Sequence, residues 1–168
     1  MLLVVLAWAG PVPGGVAIGD VPGSGGNWQE GRGVINAPVD EVHAWFLDFD
    51  HWPQRFPDIT SAQTLARPAR DQARVRFHSN IIGRELTLNM RWNERNIAYT
   101  GWGKGVNVQG KILLTPVGPR RTQVVMQSTA DVHGLSGAFA TPGMKRKRAF
   151  KKLRSDFAAL QRLSGTRM

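Results

Sequence analysis

The last stretch of the chain, Thr141 to Leu163, decides the fold and reads TPGMKRKRAFKKLRSDFAALQRL. Since an α-helix turns once every ~3.6 residues, apolar residues at spacings of three and four predict a long helix with one apolar face. That face comprises Phe150, Leu153, Phe157, Leu160 and Leu163. Thr141 can cap the start with its hydroxyl, and Pro142 suits the first helical position. An apolar face of this length must be covered, so we predict that a sheet wraps around this helix.

The predicted sheet comes from alternating apolar and polar residues in most of residues 60–132. A period of two is typical of strands that have one buried face. The two clearest runs are 74–81 and 85–93. Further strands are predicted at 27–36, 60–66, 97–102, 108–115 and 122–132. The short turns between consecutive strands predict an antiparallel meander.

Residues 34–59 hold the most informative motif, VINAPVDEVHAWFLDFDHWPQRFPDI. A strand leads into Pro38, which opens a helix with two carboxylates in its first turn, where the helix dipole favours anions. Trp52 begins a second short helix. Pro57 ends that helix, because the residue before a proline avoids the helical conformation.

This motif resembles the START-like superfamily, also called SRPBCC. That group includes polyketide cyclase/dehydrase-like proteins, coenzyme Q-binding START-domain proteins and plant Bet v 1-type proteins. The resemblance rests on 37–42 (APVDEV), Trp45, 48–53 (DFDHWP) and 56–58 (FPD). It implies an α+β helix-grip fold, with a curved antiparallel sheet of about six to seven strands around the C-terminal helix and two short helices after the first strand. It also implies a hydrophobic cavity between sheet and helix.

Large aromatic and aliphatic side chains of the predicted elements are the candidates to line this cavity, although core packing is an equal alternative for each of them. The ligand-binding candidates are Trp52, Phe56, Phe77, Leu88, Met90, Trp92, Tyr99, Trp102, Ile112, Met126, Phe150, Leu153 and Phe157. The resemblance implies a lipid, a quinone or a polyketide-like compound as ligand. We predict no cofactor.

No motif for catalysis or metal binding is readable. Residues 105–111 match the start of a phosphate-binding P-loop, but Ile112 stands where the loop needs Ser or Thr, and the stretch alternates like a strand. The chain has no cysteine, and its four histidines lack metal-ligand spacing. We therefore predict no metal site, and we expect His43 to face solvent.

An active site in the cavity would need at least one polar residue that transfers protons. Tyr99 and His78 are the first residues to check, with Arg76 as a partner for an oxyanion. His78 and Arg76 lie on the polar face of their predicted strand, which favours a surface position for both.

The net charge of +10 is concentrated at the C-terminus. From residue 141 onward the chain has nine Lys or Arg residues and one acidic residue, Asp156. The resemblance to lipid-carrying proteins suggests docking on an anionic membrane, which attracts basic residues near its surface. The predicted docking residues are Lys145, Arg146, Lys147, Arg148, Lys151 and Lys152. A solvated helix face is the alternative. Nucleic-acid binding is a weaker one, because no aromatic platform is interleaved with the charges.

The N-terminus divides into two parts. Met1–Ala9 is apolar and ends in an Ala-x-Ala pattern, which predicts a secretion signal and a secreted or periplasmic protein, although a basic leading region is absent. A buried or frayed terminus of a cytoplasmic protein is the alternative. Residues 11–26 are rich in Gly and Pro and predict an irregular lead-in. The predicted division is thus 1–26 and a helix-grip domain at 27–168.

The function that we favour from these residues is a non-enzymatic carrier of an apolar small molecule. A polyketide cyclase/dehydrase-type enzyme and a basic nucleic-acid-binding protein are the alternatives. A wholly apolar cavity would favour the carrier, whereas a polar group with a perturbed pKa inside the cavity would favour the enzyme.

Overall fold

The computed structural model of the chain describes residues 15–133 and 141–165. Its strands are β1 (Ala17–Asp20), β2 (Gln29–Ile35), β3 (Ile59–Ala69), β4 (Gln72–Ser79), β5 (Arg84–Trp92), β6 (Asn96–Gly103), β7 (Val106–Gly118) and β8 (Arg121–Val132). Its helices are α1 (Val39–Leu47), α2 (Trp52–Arg55) and α3 (Pro142–Gly165), with a 3-10 turn at Phe49–His51. None of the described helices is long and apolar enough to cross a membrane.

The described strands form one sheet in the order β1-β2-β8-β7-β6-β5-β4-β3, and every neighbouring pair is antiparallel. Strands β3 to β8 follow one another as the predicted meander. Register shifts between β3 and β4 bend the sheet, as bulges do. The curved sheet with α3 across it is the predicted helix-grip fold.

Helix α3 rests most closely on β2, at Phe157. A Cβ atom built on Gly31 would lie 2.7 Å from the Phe157 ring, and one on Gly33 would lie 3.0 Å from it. Glycines at alternate positions of β2 therefore leave room for this ring, which is fully buried. The helix contacts β1, β2 and β8 in this way, and a gap remains towards β4–β7.

The start of α3 confirms the predicted cap. The Oγ1 atom of Thr141 accepts a hydrogen bond of 3.2 Å from the backbone N–H of Met144, and the helix begins at Pro142. Leu153, Phe157 and Leu160 of the predicted apolar face are buried in the core. The exclusion of a P-loop is also confirmed, because most of that stretch lies within β7.

The prediction of an irregular lead-in at 11–26 is wrong for Ala17–Asp20, which forms the edge strand β1 against β2. The sheet consequently has eight described strands. Val16 and Ile18 pack against the core, and pairing with β2 stabilises this four-residue strand although it includes Gly19. The signal-peptide interpretation of 1–9 concerns residues outside the described ranges and stays a prediction.

The expectation that His43 faces solvent is also wrong. His43 is half-buried, and its Nε2 atom is buried without a hydrogen-bond partner among the described residues. His43 lines a shallow pocket with Arg70 and Asp71 of the β3–β4 turn and with Trp92 at the end of β5, and these neighbours partly cover it.

Candidate functional site

A cavity of about 730 Å³ lies between the concave face of the sheet and α3. This volume is within the range of ~300–1,000 Å³ typical of small-molecule sites. Met144, which is 49% exposed, and the exposed Arg148 also line the cavity, so it opens at the start of α3. Much of its wall is apolar and comes from α2, the sheet and α3.

Nine of the thirteen ligand-binding candidates line this cavity. They are Trp52, Phe56, Phe77, Leu88, Met90, Tyr99, Ile112, Met126 and Leu153. The other four are not among the described residues that line it, namely Trp92, Trp102, Phe150 and Phe157.

The two tryptophans lie elsewhere because of strand geometry. Side chains alternate along β6, and since Tyr99 faces the cavity, Trp102 points away and is 45% exposed. Trp92 shares the inner face of β5 but stands at the strand's end, where its ring centroid lies 5.9 Å from that of Phe49. It packs there against the 3-10 turn.

The two phenylalanines of α3 lie on other parts of the helix surface. Phe157 is taken up by its contact with the glycines of β2. Phe150 lies under the guanidinium group of Arg146, whose Cζ atom is 5.1 Å from the ring centroid. Arg146 in turn pairs with Asp20 of β1 at 2.6 Å.

The sequence interpretation missed a polar cluster at the cavity wall. Lys152 and Asp156 line the cavity, whereas their partners Asp58, Ser79 and Ser155 are not among the described residues that line it. The ammonium group of Lys152 contacts the Asp156 carboxylate one helical turn later and lies 3.4 Å from Oδ1 of Asp58. The hydroxyl of Ser79 donates a 2.7 Å hydrogen bond to the other oxygen of Asp58, and Ser155 reaches Oδ1 at 3.4 Å. These contacts tie α3 to the chain before β3 and to β4.

The charges of this cluster control each other's protonation. Burial raises the pKa of Asp156 to about 6; Lys152 opposes this rise, and the charge of Asp58 adds to it. Burial works against the charge of Lys152, but attraction by Asp156 and Asp58 outweighs it and raises the pKa of that group. Lys152 therefore stays an ammonium ion at neutral pH, which disfavours a role as an amine nucleophile.

Tyr99 is the second polar group of the inner cavity. Burial, together with the charge of Asp156, raises the pKa of its hydroxyl, and a hydrogen bond with Ser128 opposes the rise. Tyr99 is therefore a neutral phenol at physiological pH. Its ring stands over Gly110, where an added Cβ atom would lie 2.5 Å from Cζ of Tyr99.

His78, the other residue named for proton transfer, and Arg76, named as a partner for an oxyanion, are not among the described residues that line the cavity. Nδ1 of His78 lies 2.9 Å from Oγ1 of Thr60, and Arg76 donates a 3.1 Å hydrogen bond to Gln63. Both contacts are exposed and join β4 to β3. This confirms their predicted position on the polar face of the strand.

The predicted docking residues separate into two groups, apart from Arg146, which pairs with Asp20 of β1. Lys152 faces the cavity because it lies four residues before Asp156 on the inner side of α3, and Lys145 is half-buried at the rim. Lys147, Arg148 and Lys151 are exposed and have no ion-pair partner within residues 15–133 and 141–165.

The sequence contains one signal that could have predicted the polar cluster of Lys152, Asp156 and Asp58. Lys152 and Asp156 are four residues apart on a helix, a spacing that brings side chains together. Asp58, 94 residues from Lys152, has no such local signal. Across the described part of the chain, no three His, Asp or Glu side chains stand together as metal ligands.

The family described as polyketide cyclase/dehydrase and lipid transport matches residues 30–163 of the chain. The chain belongs to this family. The description of this family includes lipid transport as well as polyketide cyclases and dehydrases. No curated protein sequence matches it.

Solved structures of other polyketide cyclase/dehydrase and START-type proteins share the fold. The Zhui aromatase/cyclase from Streptomyces sp. R1128 is 18% identical with a TM-score of 0.70, over 91% of this chain and 96% of that one. A START superfamily protein from Mycobacterium smegmatis is 17% identical with a TM-score of 0.72, over 84% and 99%. The human StarD13 lipid transfer and protein localization domain is 13% identical with a TM-score of 0.68, over 91% and 84%.

Proposed function

We propose that this protein binds one apolar small molecule, such as a lipid, a quinone or a polyketide-like compound, in the cavity and carries it. The observation that supports this function most directly is a cavity of about 730 Å³ with a largely apolar wall and an opening at the start of α3. Each 100 Å² of apolar ligand surface that leaves water contributes ~2.5 kcal/mol, so binding requires no reaction.

A fluorescence titration tests this function. The neutral probe N-phenyl-1-naphthylamine becomes brighter in apolar surroundings, and we expect saturable binding at one site per chain. In the variant Met126→Trp the larger ring occupies part of the cavity, so affinity falls by at least about tenfold. Val117→Trp adds the same ring on the surface and leaves affinity unchanged. Wild-type affinity in Met126→Trp would contradict cavity binding.

We further propose that the start of α3 docks the cavity opening on an anionic membrane. Lys147, Arg148 and Lys151 form an exposed basic surface beside this opening. Met144 projects an exposed apolar side chain from the same turn region of the helix. Basic residues around an apolar one suit a membrane interface, where each cation contributes about 1 kcal/mol.

Vesicle sedimentation tests the docking step with phosphatidylcholine vesicles that do or do not contain phosphatidylglycerol. Reversing the charges of Lys147, Arg148 and Lys151 to Glu removes several kcal/mol of attraction, so binding to anionic vesicles falls by about 100-fold or more. The control reverses three exposed arginines at the opposite end of the sheet, namely Arg70, Arg91 and Arg120. If both triple variants lose binding to anionic vesicles equally, the loss follows from net charge alone, and a specific docking surface is contradicted.

A second candidate function is an enzyme of the cyclase/dehydrase type. The observation that favours it is the Asp156 carboxyl in the cavity, whose pKa of about 6 suits proton transfer near neutral pH. Asp156 would accept a proton from carbon beside a carbonyl, and the Tyr99 hydroxyl would donate one to the departing hydroxyl. Incubation with a β-hydroxyketone tests this. Loss of water that stops in Asp156→Asn supports the enzyme, and recovery of unchanged ketone contradicts it.

A further inference from the structure

On the inner wall of the cavity, one carboxylate oxygen of Asp156 takes no part in the ion pair with Lys152. Oδ1 of Asp156 contacts the ammonium group of Lys152. Oδ2 of Asp156 has no hydrogen-bond partner within the described ranges 15–133 and 141–165, while Asp156 lines the cavity. The Asp156 side chain is 14% exposed, and Oδ2 is not one of the buried atoms without a partner in the described residues, so it is accessible and can accept a hydrogen bond from water or from a ligand.

The local charge decides which donors fit there. Asp58 and Asp156 together outweigh Lys152, so the ionised cluster has a net charge of −1. A ligand carboxylate or phosphate at this depth would be repelled. The cationic residues stand at the opening instead, where Arg148 and Lys145 line the cavity. An anionic group therefore fits at the rim and not at the inner wall.

We propose that the bound molecule is an apolar compound with a neutral hydroxyl group. The hydroxyl end enters the cavity first and donates a hydrogen bond to Oδ2 of Asp156. This inference rests on the proposed binding function and specifies its ligand class. The neutral Tyr99 hydroxyl, which also lines the cavity, can donate to a carbonyl or to the same hydroxyl oxygen. Hydrocarbons without a hydroxyl displace water from Oδ2 and replace none of its hydrogen bonds, and the net negative charge disfavours an anionic head group there.

Calorimetric titration of the full chain with naphthalene, 2-naphthol and 2-naphthoate tests this ligand class. The three compounds share one ring system and differ in the polar group. A hydrogen bond to a charged acceptor corresponds to about 10- to 100-fold in affinity, so 2-naphthol should bind that much more tightly than naphthalene. 2-Naphthoate should bind more weakly than 2-naphthol.

Variants at the anchor connect this preference to Asp156. Asp156→Leu removes the acceptor, so the preference for 2-naphthol disappears while naphthalene still binds, which also shows that the cavity is folded. Asp156→Asn retains a neutral acceptor and reduces the preference only in part. Asp71→Asn, an exposed carboxylate on the β3–β4 turn, keeps the full preference.

The outcomes separate this inference from the binding function. If naphthalene and 2-naphthol bind with equal affinity, or if Asp156→Leu keeps the preference, the hydroxyl anchor is overturned and cavity binding stands. If none of the three compounds nor the naphthylamine probe binds, the binding function fails and the anchor falls with it.

Discussion

Replacing Asp156 by Asn should change how the stability of the protein depends on pH. The pKa of this carboxyl rises from its ordinary value of 3.8 to about 6 in the folded state. The groups around it are Lys152 on the same helix, Asp58 before β3 and Tyr99 on β6. Because the folded state holds its proton more tightly than the unfolded chain, Asp156 favours folding below about pH 4 and loses that contribution as pH rises to about 6.

The size of the effect follows from the difference between the two pKa values. One pH unit corresponds to about 1.4 kcal/mol, so Asp156 costs the folded state up to about 3 kcal/mol once it is ionised. About 2 kcal/mol of this loss of stability occurs between about pH 4.5 and about pH 7.5. Urea unfolding across this range, for wild type and Asp156→Asn, measures it. The variant should gain about 2 kcal/mol of unfolding free energy relative to wild type as pH rises.

The control is Asp71→Asn, which removes one exposed carboxylate and should follow wild type throughout. A variant that instead loses stability relative to wild type as pH rises would refute the reasoning. That result would mean that attraction by Lys152 outweighs burial and that the folded pKa of Asp156 lies below 3.8.

Three further substitutions test two packing contacts and the cap of α3. Phe157→Ala removes the ring seated on Gly31 and should lower the unfolding free energy by about 3–5 kcal/mol, measured by urea denaturation. Gly110→Ala places a Cβ atom 2.5 Å from the Tyr99 ring, so it should cost about 1–3 kcal/mol and displace the ring, which near-ultraviolet circular dichroism would detect. Thr141→Ala removes the cap of α3 and should lower the unfolding free energy by about 1 kcal/mol, and an unchanged melting temperature would contradict that role.

The elements of the fold were predictable because their signals are local. The spacing of Leu153, Phe157 and Leu160 predicts a helical face, and the alternation of residues 85–93 predicts a strand without knowledge of its partners. Strand β1 was missed because its four residues, which include Gly19, are too few to show an alternation, and its pairing with β2 supplies the structure. Its position also means that a chain truncated to begin at residue 27 would lack an edge strand.

The cavity wall was only partly predictable, for reasons that differ by residue. Residue type alone suggested Trp102, although its alternation with Tyr99 already places it on the outer face. Lys152 was hidden in a run of cations that predicts a solvated surface, and its partner Asp58 is distant in sequence. Long-range pairing of this kind leaves no local pattern.

Native mass spectrometry of the full chain, followed by organic extraction, tests most directly whether the cavity binds a ligand. We expect one apolar molecule per chain, released into the solvent and identifiable by its mass, with a hydroxyl group among its polar atoms. A protein that arrives empty, and stays empty after incubation with an excess of lipids, quinones and polyketide-like phenols, would contradict the claim that this cavity binds a ligand.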